Sequence, residues 1–271
     1  MSQVIVTGAT GFVGQYVVPL LLENGLEVVA VARDETKARD FGWRKDVRFV
    51  ALDYHKQPLN FAPEAGSALI HLAWQGLPNY KSMFHIEENL PRNYEFVRDL
   101  VAAGVSKVLV TGTCFEYGFQ SGPIRPDAVT EPANPYGLAK DCLRKYLESL
   151  KSVKPFTLQW ARLFYMYGRG QNPKSILAQL DAAIANGDTT FNMSGGEQLR
   201  DYLPVESVAQ RIVDIHLGNA SGTFNICSGE PISIRRLAEQ RVREKGATIE
   251  LNLGHYPYPD YEPMAFWGAK D

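Results

Sequence analysis

Short runs of apolar, β-branched residues alternate along the chain with longer stretches in which apolar residues recur every three or four positions. The first pattern is typical of strands buried on both faces, and the second of helices with one buried face. The chain therefore predicts strand–helix–strand units around a parallel sheet. The predicted strands are Val4–Thr7, Val28–Ala32, Val47–Leu52, Ala68–Leu72, Lys107–Thr111 and Thr157–Leu163, and the helices between them lie near Phe12–Asn24, Met83–Ala103 and Pro135–Lys151.

After Leu163 the spacing becomes less regular, and loops rich in Gly interrupt the pattern at 168–173 and 195–197. Such a change predicts a smaller lobe beside the main sheet. Its predicted elements are the helices Ser175–Ala185, Val205–Leu217 and Ile234–Glu244 and the strand Phe224–Ile226.

Charge and cysteine content exclude several classes of protein. A net charge of −2 over 271 residues offers no basic surface for nucleic acid or for a membrane. The three cysteines are widely spaced and form no cluster with histidine, so we expect no metal site and a reducing compartment. The start of the chain has no basic and apolar leader, which predicts no signal peptide and a cytoplasmic location.

A glycine-rich turn follows the first predicted strand directly. A first glycine permits a tight turn, a second lets the backbone approach a pyrophosphate, and a third lets the next helix pack closely. The free N–H groups at the start of that helix then hold the phosphates. The order of strand, glycines and helix favours a phosphate-binding turn over a glycine turn without a ligand. The residues expected to bind a dinucleotide here are Gly8, Thr10, Gly11, Phe12, Val13 and Gly14.

These elements predict an α/β fold, a Rossmann-type doubly wound parallel sheet with a small C-terminal substrate-binding lobe. Residues 1–165 would form the NAD(P)-binding core. Residues 166–271 would form mainly the lobe, with parts of 205–230 returning to the core. We expect a cleft between the two.

The end of the second predicted strand bears on the choice of cofactor. A carboxylate there would bind the ribose 2′-OH of NAD, whereas an arginine accommodates the 2′-phosphate of NADP. Ala32 stands where the acid is expected and Arg33 follows, so NADP is favoured. NAD remains possible if Asp34 reaches the ribose. Asp53, after the third strand, is a candidate for binding the adenine amino group or an ordinary turn residue.

Tyr136 and Lys140 stand four residues apart at the start of a predicted helix, so both project from one face. Asn134 is suited to cap this helix and Pro135 to begin it. A lysine ammonium one turn away and the helix N-terminus would both favour a tyrosine phenolate. We therefore expect them to lower the pKa of Tyr136 toward the range useful for acid–base catalysis.

Further segments resemble the extended short-chain dehydrogenase/reductase family, in particular its NAD(P)-dependent nucleotide-sugar epimerase, dehydratase and reductase branch. The resemblance runs from residue 3 to about residue 230. The segments that carry it are TGATGFVG at 7–14, HLA at 71–73, Asn89, TGTCFEYG at 111–118, YGLAK at 136–140, ARLFYMYG at 161–168, RDYLPVESVA at 200–209 and FNICSGEPISI at 224–234.

The resemblance implies a catalytic set of Thr113, Tyr136 and Lys140. Tyr136 would be the general acid/base, and Lys140 would also bind the nicotinamide ribose. Thr113 would hydrogen-bond to the substrate oxygen that changes charge. It lies just beyond a predicted strand, at the edge where open α/β sheets bind ligands.

Other positions take their expected roles from the same resemblance. Leu72 and Ala73 would line the cofactor pyrophosphate beside His71, which we interpret as structural. Asn89 would order the active-site helix or a proton-relay water. Arg200 would pair with the substrate diphosphate, with a surface salt bridge to Asp201 as the alternative.

Three positions depart from the pattern of the family. Cys114 and Phe115 stand where 4,6-dehydratases carry Asp-Glu, which disfavours water elimination; we interpret Cys114 as a small apolar pocket residue. Tyr165 replaces an asparagine and would alter contacts with the substrate.

We therefore expect an NADPH-dependent reductase of a nucleotide-linked 4-keto-6-deoxy sugar, with Tyr136 as proton donor. The alternative is an NAD-dependent nucleotide-sugar 4-epimerase, and a third hypothesis is a non-catalytic NADP-binding regulator. Analogy with the family predicts a homodimer formed through the helices near 83–103 and 135–151.

Overall fold

The computed structural model describes residues 3–270, so the beginning of the predicted core and the last residue of the predicted lobe lie outside the described residues. The strands are β1 (Gln3–Thr7), β2 (Glu27–Ala32), β3 (Arg48–Ala51), β4 (Ala68–His71), β5 (Lys107–Thr113), β6 (Gly122–Ile124), β7 (Thr157–Leu163), β8 (Tyr165–Tyr167), β9 (Thr190–Asn192), β10 (Leu199–Pro204), β11 (Gly222–Ile226), β12 (Pro231–Ser233), β13 (Glu250–Asn252) and β14 (Phe266–Gly268). The α-helices are α1 (Gly14–Glu23), α2 (Glu35–Ala38), α3 (Leu90–Ala102), α4 (Pro135–Val153), α5 (Ile176–Asn186), α6 (Val205–Leu217) and α7 (Ile234–Glu244).

Seven parallel strands form the central sheet in the order β3-β2-β1-β4-β5-β7-β11. After β3 the chain crosses to β4 on the other side of β1, so the strand order reverses between β1 and β4. At such a switch point the loops leave in opposite directions and open a crevice at the carboxyl ends of the strands. The predicted Rossmann-type sheet is confirmed.

All six strands predicted for the core are present, most of them with ends shifted by one or two residues. β5 continues to Thr113, because Gly112 and Thr113 still pair with β7. The single helix predicted over 83–103 is a π-helical turn at His85–Asn89 followed by α3. Because a π turn is wider than an α turn, the side chains that follow it point in different directions from those of a continuous α-helix.

Both faces of the sheet are covered by helices. The helices α3 and α4 pack on one face, where Leu100, Leu143 and Trp160 are fully buried. The helices α1 and α6 pack on the other face, with Val17 and Ile212 in the core. Strand β11 and helix α6 thus belong to the same body as residues 3–165, although they come late in the chain.

A smaller lobe is built from α5, α7, β9 and β13 around a separate apolar cluster that includes Leu180, Phe191 and Ala238. A three-stranded sheet, β12-β10-β8, lies next to it. The tail then returns to the core, where β14 pairs in parallel with β6. No helix within residues 3–270 is long and apolar enough to cross a membrane.

Candidate active site

A cleft of about 1270 Å³ opens at the carboxyl ends of the parallel strands. One end is formed by the glycine turn after β1 and the loop after β2. The other end is formed by the segment 77–82, by Tyr165 to Tyr167 and by the tail at Asp260 and Tyr261. A long cleft with these two ends can hold a dinucleotide and a second ligand side by side.

The glycine turn is too tight for side chains at two positions. Gly8 has φ of +67°, and a Cβ there would lie 3.0 Å from the backbone nitrogen of Ala73. A Cβ on Gly14 would lie 2.8 Å from the Cα of Ala9, so helix α1 can approach the turn only with glycine at this position. No described side chain caps the start of α1. The residues at this start, Phe12 to Gly14, line the cleft, where a pyrophosphate site would need backbone N–H groups.

Two cations and two carboxylates lie at the end of the cleft where an adenosine would bind. Arg33, Asp34, Lys37 and Asp53 all line this end. The Asp34 carboxylate accepts a hydrogen bond from the backbone N–H of Thr36 at 2.8 Å and so caps the short helix α2. Asp53 accepts a hydrogen bond from the backbone N–H of His55 at 3.2 Å. This bond is typical of a turn residue, which was the alternative role expected for Asp53.

The three predicted catalytic residues come together in the middle of the cleft. Thr113 ends β5, while Tyr136 and Lys140 lie on the first two turns of α4. Asn134 caps this helix, as predicted, by accepting a hydrogen bond from the backbone N–H of Gly137 at 2.9 Å. The cap fixes where α4 begins and therefore where both side chains point.

Burial governs the protonation of Tyr136. It raises the pKa of this phenol, and a hydrogen bond with Thr113 opposes the rise only in part. The expected net lowering by Lys140 and by the helix N-terminus is therefore wrong, because the sequence did not show how completely the ring is removed from water. Tyr136 is a neutral phenol at physiological pH, which suits a proton donor.

Lys140 is almost fully buried beneath the cleft surface. Its Nζ donates a hydrogen bond to the backbone carbonyl of Thr111 at 2.7 Å and lies 4.0 Å from the centre of the Trp74 ring. Burial lowers the pKa of Lys140 to about 7, although the carboxylate of Glu116 opposes this. The amine can therefore change its charge within the physiological range.

Glu116 is a buried residue behind Thr113 that the sequence analysis did not identify. Its carboxylate accepts hydrogen bonds from the backbone N–H of Thr113, from the indole of Trp160 at 3.0 Å and from Arg162 at 2.6 Å. Together Thr113 and Glu116 form a capping box on the turn Cys114–Tyr117. The Thr-x-x-Glu spacing was the available signal, because it is the signature of this motif.

Aromatic rings form the wall of the cleft beside Tyr136. Tyr80 lies 5.6 Å from Tyr136, 4.8 Å from Phe115 and 5.8 Å from Tyr261, measured between ring centres. The backbone N–H of Tyr136 also donates to the Tyr80 carbonyl at 3.1 Å. Lys81 and Asp260 form an exposed ion pair at 2.8 Å that joins the two segments carrying this wall.

The segment after β4 contains both structural and cleft residues. Leu72 and Ala73 line the cleft beside the glycine turn. His71 is fully buried between Thr7, 2.8 Å from its Nδ1, and Asn93, 2.7 Å from its Nε2. Burial lowers the pKa of His71 to about 3, so it stays neutral, which agrees with its interpretation as structural.

Asn89 lies behind the cleft, at the end of the π turn. Its amide donates to the carbonyl of Gln75 at 2.9 Å and contacts Nδ1 of His85 at 3.1 Å. These bonds attach the π turn to the segment after β4, which is an ordering role. The buried Oδ1 of Asn89 has no partner among the described residues.

Arg200 does not lie where the resemblance placed it. It is absent from the described residues that line the cleft, and its side chain is 1% exposed. Its guanidinium forms an ion pair with Glu262 at 2.9 Å and donates to the carbonyl of Met264 at 3.1 Å. The alternative pairing with Asp201 is also wrong, because Asp201 accepts hydrogen bonds from the backbone of Ser228 and Gly229. The returning tail, which the sequence could not place, supplies the partner of Arg200.

Cys114 and Tyr165 both line the cleft, as predicted for substrate contacts. Burial raises the pKa of the Cys114 thiol, which disfavours the reactive thiolate and agrees with its interpretation as an apolar pocket residue. The Tyr165 hydroxyl donates to Glu262. Tyr165 thereby attaches the C-terminal tail to the cleft wall.

Comparison with known proteins supports a common chemistry for this arrangement. The family model described as "NAD dependent epimerase/dehydratase family" matches residues 4–227. The dTDP-6-deoxy-L-talose 4-dehydrogenase (NAD(+)) of Aggregatibacter actinomycetemcomitans is 32% identical over 98% of this chain and 99% of its own. The UDP-glucose 4-epimerase of Halalkalibacterium halodurans is 24% identical over 87% of this chain and 78% of its own.

A solved structure of MoeE5 in complex with UDP-glucose and NAD has a TM-score of 0.78 and 25% identity, covering 97% of this chain and 89% of that one. The names of these proteins connect the family with nucleotide sugars and with NAD. The preference for NADP expected from Arg33 finds no support in them.

Proposed function

The chain belongs to the NAD-dependent epimerase/dehydratase family, and we propose that it reduces the 4-keto group of a nucleotide-linked 6-deoxy sugar. One observation carries the proposal: the Tyr136 phenol is buried in the cleft that Thr113 and Lys140 also line, and this burial raises its pKa. A neutral phenol at this point is ready to give a proton to a forming alkoxide. The name of the relative that is 32% identical specifies the same carbon of a 6-deoxy sugar.

The residues present fit a nicotinamide dinucleotide. The turn at Gly8 and Gly14 leaves no room for a Cβ, and the start of α1 lines the cleft without a side-chain cap. Arg33 and Lys37 would contact the 2′-phosphate of NADPH, the cofactor that we propose. The hydride is supplied by the reduced nicotinamide when the cofactor is bound.

The chain's own residues would control the proton. Tyr136 donates its hydroxyl proton to the substrate oxygen, and Thr113 holds that oxygen by a hydrogen bond. The ammonium of Lys140, one turn along α4, stabilises the phenolate that Tyr136 becomes. Cys114 and Phe115 supply no acid or base, so water elimination has no support from this wall of the cleft.

The test is an assay of hydride transfer. The purified protein is incubated with NADPH or NADH and a panel of 4-keto-6-deoxy sugar nucleotides, and absorbance at 340 nm is followed. We expect oxidation of the cofactor with at least one dTDP-linked sugar. We expect Y136F to lower the rate by roughly 10²-fold or more, whereas Y146F, on the exposed part of α4, keeps it. No consumption of either cofactor with any sugar would disprove the proposal.

A sugar-nucleotide 4-epimerase is the second candidate, because UDP-glucose 4-epimerases are among the relatives. An epimerase regenerates its cofactor in each turnover, so it has no need to release it. Denaturing the purified protein and identifying the released nucleotide separates the two functions. Near-stoichiometric NAD⁺ would favour the epimerase, and an empty protein the reductase.

A further inference from the structure

Trp74 lies directly after Leu72 and Ala73, at the edge of the cleft, and its ring covers Lys140. The Nζ of Lys140 is 4.0 Å from the ring centre. On its other side the same Nζ donates to the backbone carbonyl of Thr111. The ammonium is therefore held between a carbonyl oxygen and the face of an indole, both of which attract positive charge.

The opposite edge of Trp74 is fixed by a hydrogen-bonded histidine. The indole Nε1–H donates to Nδ1 of His85 at 3.1 Å, and Nε2 of His85 donates to the carbonyl of Asn79 at 3.0 Å. Only a neutral ring with its proton on Nε2 satisfies both bonds. Burial lowers the pKa of His85, which keeps the ring in this form. Trp74 is thus attached to the segment that forms the substrate end of the cleft.

The groups around Lys140 give it little other support. Glu116, following β5, is the carboxylate that acts on Lys140, and it already accepts three hydrogen bonds. His71 on β4 and His85 on the π turn both have their pKa values lowered by Lys140 and by burial. Tyr136 is a neutral phenol. The face of Trp74 is therefore one of few groups that offset the removal of this ammonium from water.

We propose that Trp74 is a positioning residue that holds Lys140 as an ammonium beneath Tyr136 through the face of its indole ring. This proposal rests on the function proposed above, in which Lys140 stabilises the phenolate of Tyr136. Trp74 acts through Lys140 and its ring orientation is set by His85. Loss of the aromatic face lowers the pH at which Lys140 loses its proton, and activity that depends on the ammonium then fails at lower pH.

The first test compares pH profiles of kcat/KM for reduction of a dTDP-linked 4-keto-6-deoxy sugar. In W74L we expect the alkaline limb to move to lower pH by roughly half to one unit, the size of a cation–π contact. W74F keeps an aromatic face and should retain the wild-type limb. W43F is the matched control, since Trp43 is buried against Phe41 outside the cleft. If W74L lowers the rate equally at every pH, the residue only fills space and the proposal is wrong.

A second test needs no turnover. The protein is labelled with ¹⁵N-lysine, the Nζ signal of Lys140 is assigned by its loss in K140M, and its titration is followed by NMR. A lower pKa of Lys140 in W74L supports the proposal, and an unchanged value overturns it. If W74L does not fold, W74M preserves apolar volume without the ring face. Absence of turnover in the wild type disproves the proposed function alone, since the titration still decides the role of Trp74.

Discussion

The carboxylate of Glu116 accepts a hydrogen bond from the backbone N–H of Thr113 at 2.8 Å, three residues earlier in the chain. The same carboxylate is bound by Arg162 of the neighbouring strand β7. Thr113 is thereby fixed both by its own turn and by the sheet. Thr113, which lines the cleft together with Tyr136, has its position set by a residue that never reaches the cleft.

The exchange E116Q should destabilise the protein and weaken catalysis together. It leaves the guanidinium of Arg162 buried without a carboxylate, a loss of about 3–5 kcal/mol. It also loosens the turn that holds Thr113. Urea unfolding measures the first effect, and kcat measures the second. E95Q removes an exposed ion pair with Arg92 and should change the stability by less than about 1 kcal/mol. Equal losses of stability in E116Q and E95Q would contradict the role of Glu116 in holding Thr113.

Lys140 should make the stability depend on pH. Burial lowers its pKa from the ordinary value of 10.5 to about 7 in the folded protein. Between these values the unfolded chain binds more protons than the folded one, so the stability rises as pH rises through this window. We expect K140M to remove this rise and to increase the melting temperature at pH 7. Thermal melts of the wild type, K140M and the exposed K154M check this, and parallel curves for the wild type and K140M would refute it.

The glycine at the start of α1 should not tolerate a methyl group. In G14A the new Cβ meets the backbone of Ala9 at 2.8 Å, and we expect a loss of roughly 1–3 kcal/mol in stability. The displaced helix start would also weaken cofactor binding, measured by fluorescence titration with NADPH. G42A has no atom within 4 Å of its new Cβ and serves as the control. Wild-type affinity in G14A would show that the helix does not need this close approach.

Arg33 should distinguish the two nicotinamide cofactors. If it contacts the 2′-phosphate, R33A should lower kcat/KM for NADPH by about 10- to 100-fold, the worth of a charged hydrogen bond, and spare NADH. Arg39 is an exposed arginine at the end of α2 and does not line the cleft. R39A should therefore leave kcat/KM unchanged for both cofactors. An equal loss with both cofactors, or a wild-type preference for NADH, would contradict the proposed role.

Much of the site could be predicted because its residues are close in sequence. The glycine turn is a local structure, and the spacing of its glycines along the chain is enough to predict its conformation. Tyr136 and Lys140 share a face because they are four apart on one helix, and Asn134 marks the beginning of that helix. The placement of Thr113 in the cleft followed from its position at the end of β5.

The errors concern pairs of residues that are far apart in the chain. Arg200 pairs with Glu262 of the tail, and that tail had no periodicity from which its path could be predicted. The pKa of Tyr136 was expected to fall, but it rises because rings from the stretch 74–85 and the ring of Phe115 surround the phenol and exclude water.

The sequence by itself determined the sheet, the dinucleotide turn and the pairing of Tyr136 with Lys140, since each depends on spacing over a few residues. The tertiary structure decided the charge states of these groups and the partners of Arg200, Glu116 and Lys140. Charge depends on exclusion from water, and exclusion depends on which distant segments pack together. Trp74 and Lys140 are 66 residues apart and meet because Trp74 follows β4, while Lys140 reaches from α4 to the carbonyl of Thr111 on the neighbouring strand β5.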